Sequence, residues 1–264
     1  MKYLVLKKST IFVVIMFCVL SIVVSLPFGQ NCVAGVFFGD SLRKIPVYCV
    51  DTDKKQVAIS FDAAWGGDKT EGIMQLLKEY DVGATFFLVG FWVDKYPELV
   101  KKIEQNGYEI GTHSNTHPDM TKLSTTEMQT ELKKSVELIE NLVSQKVELF
   151  RPPYGAYNND LITTAEGMNL QTIQWSVDSL DWKGISGSEI ANRVVDRVQN
   201  GSIILCHNNS DHILDALPII FDRLKNQGYT ITSVGDLVYK ENFTIDHTGK
   251  QIQNSGNKNI EDTN

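Results

Sequence analysis

The chain has 264 residues, a formal net charge of −7 and a sequence pI near 5.3. That length admits one domain of α/β-barrel size with short appendages. An acidic balance with no basic stripe excludes a protein built to track phosphates, so nucleic acid is not an expected partner.

In chain order, Lys2, Lys7 and Lys8 precede an uncharged run over residues 11–28, IFVVIMFCVLSIVVSLPF. At helical rise this run crosses most of a hydrocarbon core, and the lysines favour a cytoplasmic N-terminus with the bulk of the chain exported. Residues 1–30 therefore read as a single-pass anchor in the cell membrane; the competing cleaved signal needs a better cut site than Val33-Ala34-Gly35. Of the four cysteines, Cys18 sits in this run, and Cys32, Cys49 and Cys206 follow it without a disulfide pattern. Residues 31–54 read as a linker, 55–240 as the main domain and 241–264 as a polar, disordered tail.

Within 55–240, short apolar runs alternate with amphipathic stretches, the pattern of repeated β/α units. Strands are expected at 57–62, 84–90, 108–113, 147–151, 170–177, 202–207 and 229–234. Helices are expected in TEGIMQLLKEY, after the capping-box pair Ser124 and Glu127, in GSEIANRVVDRVQN, and in ILDALPIIFDRLKNQG with its terminal glycine. The count and alternation predict a barrel-like parallel sheet of about seven strands wrapped by helices, in a monomer.

Parallel α/β folds gather their chemistry at the carboxyl ends of strands, and five such ends here carry useful groups. Asp62 closes VAISFD, where it serves either as a turn former or as a reactive carboxylate. His113 and His117 stand four apart and are able to converge on one divalent cation. Arg151 precedes Pro152 and Pro153, with the Tyr154 N–H available to an oxyanion. Asp181, beside Trp182, pairs with His207, beside Leu205, as a carboxylate-supported acid, whereas core packing is the ordinary fate of Trp182 and Leu205.

Taken in order, FDAAWG, HSNTH, RPPYG, DSLDW and LCH resemble the five motifs of the polysaccharide deacetylase family, the NodB-homology carbohydrate esterases. The likeness spans about residues 55–240 and is strongest to the membrane-anchored, sporulation-associated members of spore-forming Gram-positive bacteria. It implies a distorted (β/α) barrel that hydrolyses an N-acetyl group on a wall polysaccharide outside the membrane, with one divalent metal ion such as zinc, cobalt or manganese. By the same resemblance Asp62 is the base, Arg151 its holder, and His113 and His117 the metal ligands. The Tyr154 N–H serves the oxyanion, His207 with Asp181 protonates the leaving amine, and Trp182 and Leu205 wall the acetyl methyl. One position departs from the family: the second aspartate of the first motif is Ala63. The resemblance therefore implies weak metal loading, a substitute ligand in Asp62 or Asp68, or a groove that binds glycan without hydrolysis.

Overall fold

The computed structural model describes residues 43–254. The run read as an anchor and Cys32 lie outside the described residues; among the described residues no helix is long and apolar enough to cross a membrane. In the compact unit that begins at Lys44, strands β1 (Cys49–Val50) and β2 (Gln56–Ala63) lead to helix α1 (Thr70–Glu79) and β3 (Thr85–Leu88). Helices α2 (Gly90–Lys95) and α3 (Pro97–Gln105), β4 (Glu109–Thr112), α4 (Thr125–Glu140), β5 (Leu149–Phe150) and α5 (Asn159–Glu166) come next. Then follow β6 (Gln171–Thr172), β7 (Val177–Asp178), α6 (Gly187–Val195), β8 (Ile203–His207), α7 (Ile213–Asn226) and β9 (Thr230–Thr232). Helix α8 (Val234–Leu237), β10 (Phe243–Ile245) and β11 (Lys250–Gln253) complete the order.

The main sheet runs β6-β5-β4-β3-β2-β8-β7, with β9 beside the first half of β2, and its strands pair in parallel. From Val57 to Ala63 every residue of β2 is buried, which requires cover on both faces. Val57, Ile59, Phe61 and Ala63 join Ile73 and Leu77 of α1 and Ile220 and Phe221 of α7 in one apolar cluster. Ala58 belongs with Phe87, Ile173 and Ile203 to a second, smaller cluster. The alternating side chains of β2 thus feed a helix-side core and a barrel interior, and Ser60 and Asp62 fall in the same alternating set as Ala58.

The expected helix after Ser124 is present: Ser124 caps α4 and Glu127 completes the capping box. Gly228, at φ +84°, ends α7 and donates its N–H to the Lys225 carbonyl. The structure adds α2, α3, α5 and α8, which the sequence pattern did not predict. It also divides the strand expected at 170–177. Residues 171–172 pair with β5 at one edge of the sheet and 177–178 pair with β8 at the other, so the stretch between them spans the seam of an open barrel. An apolar run long enough for one strand serves two edges here because the barrel curls them toward each other.

Two boundaries need correction. Residues 241–254, expected to be disordered, contain β10 and β11, which form an antiparallel hairpin. The Asp246 carboxylate closes its turn by accepting the N–H and hydroxyl of Thr248 at 2.8 and 2.6 Å. Polarity hid this hairpin because its buried glutamine, Gln251, is satisfied by both backbone groups of Tyr239. The end of the expected linker is folded as well: β1 lies parallel to β11, and Val47 and Cys49 bridge to Ile173 and Ser202. Gly201 permits this approach, since a Cβ there would fall 1.8 Å from the Val50 carbonyl oxygen.

Candidate active site

The sheet register brings the predicted residues to one edge. Asp62 and His207 are direct cross-strand partners at the ends of β2 and β8. Thr112, before His113, is register partner of Phe150, before Arg151.

Arg151 is fully buried, with Nη1 donating to Asp62 Oδ1 at 2.7 Å and to the Ser60 hydroxyl at 2.8 Å, and Nη2 to the Gln174 carbonyl at 3.1 Å. The Phe87 ring lies 4.1 Å from its guanidinium carbon. That ring has room because its partner on β4 is Gly111, where a Cβ would come within 2.6 Å of it. Burial works against ionisation of Asp62, but Arg151, then His113 and His207, outweigh it and hold its pKa below the usual value. Asp62 is therefore a carboxylate with Oδ1 committed to arginine and Oδ2 turned toward His113.

His113 Nδ1 lies 2.6 Å from the Arg151 carbonyl oxygen, which can only accept. The proton is thus on Nδ1, and the lone pair on Nε2 faces Asp62 Oδ2 at 3.6 Å. Burial lowers the His113 pKa, with Asp62 opposing. In His117, burial and then His113 lower the pKa to about 4. Both imidazoles are neutral at pH 7, the state that binds metal. Their ring centroids are 4.9 Å apart, and His117 Nδ1 is buried without a hydrogen-bond partner.

The loop between the two histidines is strained and clamped. Ser114 and His117 have φ of +69° and +58°, unfavourable for residues with a Cβ. Glu131 of α4 reaches across to accept the N–H groups of Asn115 and Thr116 at 3.0 and 2.8 Å and the Thr116 hydroxyl at 2.8 Å. Glu131→Ala releases all three donors and would raise the dissociation constant of a zinc ion held by His113 and His117 about 10–100-fold, with Glu131→Gln in between. Isothermal titration with zinc checks this, and an unchanged constant would show that the loop keeps its shape unaided.

On the other side, the Asp181 carboxylate holds His207 at two points, Oδ1 to Nδ1 at 2.7 Å and Oδ2 to the backbone N–H at 2.8 Å. Burial would depress the His207 pKa, but the Asp181 hydrogen bond and charge prevail and raise it, favouring the protonated ring. Leu205 is buried in β8, whereas Trp182 stands exposed beside Asp181. Tyr154 is also exposed, at φ +60°, in a short turn closed by Gly155 and Ala156; its hydroxyl lies 3.3 Å from the His117 carbonyl oxygen.

The donor set suits a divalent cation only in part. Two ligands on one tetrahedral zinc stand about 3.4 Å apart, close to the spacing of His113 Nε2 and Asp62 Oδ2. Yet among the described residues no group of three His, Cys, Asp or Glu is disposed to hold a metal. Asp68 is exposed, and no described hydrogen bond or ion pair joins it to either imidazole. Ala63 is fully buried in the helix-side core and offers no donor. His113 and His117 would hold the ion, with Asp62 the nearest carboxylate.

Sequence reasoning missed Ser60, Gln174 and Glu131. Ser60 had a signal, as a polar residue two before Asp62 in an otherwise apolar strand. Gln174 fixes the turn after Arg151 by donating from Nε2 to the Gly155 carbonyl at 2.9 Å, and it lies in the stretch misread as one strand. Glu131 is one charge among many on an amphipathic helix.

The carboxyl edge of a parallel α/β barrel here carries carboxylate–arginine, imidazole and carboxylate–imidazole groups, a set able to accept a proton at one point and donate one at another. A family profile described as polysaccharide deacetylase matches residues 50–173. Over 180 residues the chain is 36% identical to a peptidoglycan-N-acetylglucosamine deacetylase of Bacillus cereus, covering 67% of this chain and 66% of that protein. It is also 36% identical to the uncharacterized Bacillus subtilis protein YlxY, covering 75% of this chain and 62% of that one. The chain thus spans just under two thirds of the length of these relatives. The structure of BA3943 from Bacillus anthracis, a CE4 family pseudoenzyme, superimposes with a TM-score of 0.71 at 32% identity, covering 80% of this chain and 73% of that one. A BA3943 mutant with restored enzymatic activity gives the same score at 35% identity, covering 78% and 72%. The chain belongs to the polysaccharide deacetylase family.

Proposed function

We propose that this protein removes the acetyl group from an N-acetylated sugar of peptidoglycan or a related wall glycan, by water attack on the amide. The observation that supports this most is the meeting, at one sheet edge, of an arginine-held carboxylate, two neutral imidazoles and an aspartate-supported imidazole. Asp62 stays ionised and presents Oδ2 to accept the proton of an attacking water. Arg151 keeps it ionised but also makes it a weak base, so the water must be acidified by its surroundings. A divalent ion held by His113 and His117 would supply that acidification and would polarise the acetyl carbonyl. The Tyr154 N–H serves the developing oxyanion, and His207, protonated through Asp181, delivers a proton to the departing amine. Trp182 and Leu205 bound the acetyl methyl. The membrane-tethered, extracytoplasmic setting rests on the apolar run 11–28, and a part in sporulation rests on the FDAAWG likeness.

The test is acetate release from N-acetylglucosamine oligomers or peptidoglycan by the full chain supplied in turn with zinc, cobalt and manganese, with loss of release in His113→Ala. A second reading, a glycan-binding protein without turnover, is favoured by Ala63 and by the likeness to a pseudoenzyme; glycan binding without acetate release for any metal would establish it. Ala63→Asp bears on both readings. It places a carboxylate in the apolar cluster, so the metal-free variant should be less stable by about 1–3 kcal/mol, and zinc should recover more stability than in the parent. Thermal unfolding with and without zinc measures this, and equal zinc-induced shifts in the two proteins would show that residue 63 does not reach the ion.

A further inference from the structure

Among the described residues, the exposed large apolar side chains are Trp65, Phe91, Tyr154 and Trp182, at 58, 37, 69 and 59%. All four follow carboxyl ends of the main sheet, after β2, β3, β5 and β7. Single exposed hydrophobics are ordinary, but four gathered about one site mark a surface that a ligand covers. Tyr154 and Trp182 belong to the centre already described, whereas Trp65 and Phe91 carry none of the chemistry proposed there.

The two rings lie 6.2 Å apart between centroids, tilted by 50°. Trp65 also makes a T-shaped contact with His117, centroids 5.1 Å apart, and His117 makes one with Tyr154 at 4.6 Å. Four rings therefore form an unbroken row from Phe91 through Trp65 and His117 to Tyr154. The row is fixed from beneath. The Gly66 carbonyl, next to Trp65, accepts from Trp92 Nε1 at 2.6 Å and from Asn208 Nδ2 at 2.9 Å, and both donor residues are buried. Phe91 donates its backbone N–H to the Asn115 carbonyl at 3.2 Å. Aromatic rings presented on such a braced backbone lose little freedom when a ligand covers them.

We propose that Trp65 and Phe91 form a stacking platform for a pyranose ring next to the sugar that is deacetylated, so that the protein selects a glycan chain over a single sugar. This rests on the function proposed above. A hexopyranose with equatorial substituents presents axial C–H bonds on its faces, which pack against the negative face of an aromatic ring, while its hydroxyl edge stays in water. A row of rings leading away from the imidazoles offers that surface to a linear chain of sugars.

Calorimetric titration of the zinc-loaded full chain with the N-acetylglucosamine tetramer, and with N-acetylglucosamine itself, tests the platform. Trp65→Ala is expected to weaken tetramer binding about tenfold and to shrink the preference for tetramer over monosaccharide by the same factor. Trp65→Phe should recover most of that loss, and Phe91→Ala should show a smaller one. Zinc affinity should be the same in the parent and Trp65→Ala. The platform is overturned if Trp65→Ala binds the tetramer as the parent does, if both sugars weaken equally, or if zinc affinity falls in step, which would make Trp65 a cover for His117. A parent chain that binds neither sugar overturns the proposed function and the platform together, whereas parent-like tetramer binding by Trp65→Ala overturns the platform alone.

Discussion

Arg151→Met should destabilise the protein by about 3–5 kcal/mol and reverse the pH dependence that Asp62 contributes. The guanidinium is fully buried, and its removal leaves Asp62 in a desolvated site with only imidazole neighbours to favour its charge. In the parent, Asp62 titrates below its unfolded value, so its contribution to stability is present above about pH 3.9 and is lost as pH falls through the folded pKa. Without arginine, burial dominates and the folded pKa rises above the unfolded one. The contribution is then favourable only below about pH 3.9 and is lost as pH climbs toward the folded pKa. Denaturant unfolding of chelated protein from about pH 3 to about pH 7 measures both effects. The double variant Asp62→Leu/Arg151→Met should regain much of the loss, because no charge is left stranded. A single variant as stable as the parent, with the parent's pH slope, would mean that the pair does not anchor this end of the barrel.

Asp62→Asn should lower turnover by about 10²–10⁴ while leaving glycan binding nearly intact. Asparagine keeps an oxygen for Arg151 Nη1, and Ser60 and the Gln174 carbonyl still accept from the guanidinium, so the cleft keeps its shape. What disappears is the anionic Oδ2 that faces His113 Nε2 at 3.6 Å. Steady-state acetate release, alongside calorimetric titration with glycan, separates the two effects. Retained turnover would remove Asp62 from the role of base, and joint loss of binding and turnover would make it a structural residue.

Most of the architecture was legible because β/α alternation and strand-end polarity follow from burial. Ser124 and Glu127 marked a helix start, and five strand ends pointed to one edge. The failures have specific physical causes. LQTIQWSV looks like one strand because apolar periodicity records burial and not the identity of the partner strand, and this segment has partners on both edges. Gln251 looks solvent-facing because its side-chain amide mimics backbone hydrogen bonding inside the fold. At the site, residue identity signalled Asp62, His113, His117, Arg151, Asp181 and His207. The tautomer of His113, the exposure of Trp182 and the grip of Glu131 on the histidine loop depend on distances between segments far apart in the chain, and these no local pattern encodes.

The three-stranded sheet of β1, β11 and β10 bears on how this protein is to be handled at the bench. A fragment trimmed to residues 55–240, where the sequence motifs begin and end, would lose all three strands. With them would go Val47, whose N–H and carbonyl are tied to Thr172 and Gln174 on either side of Ile173. The seam of the barrel would then offer unpaired backbone to other molecules, inviting edge-to-edge aggregation. Poor yield or precipitation of such a fragment would report a cut made inside the fold, and would say nothing about whether the catalytic groups work.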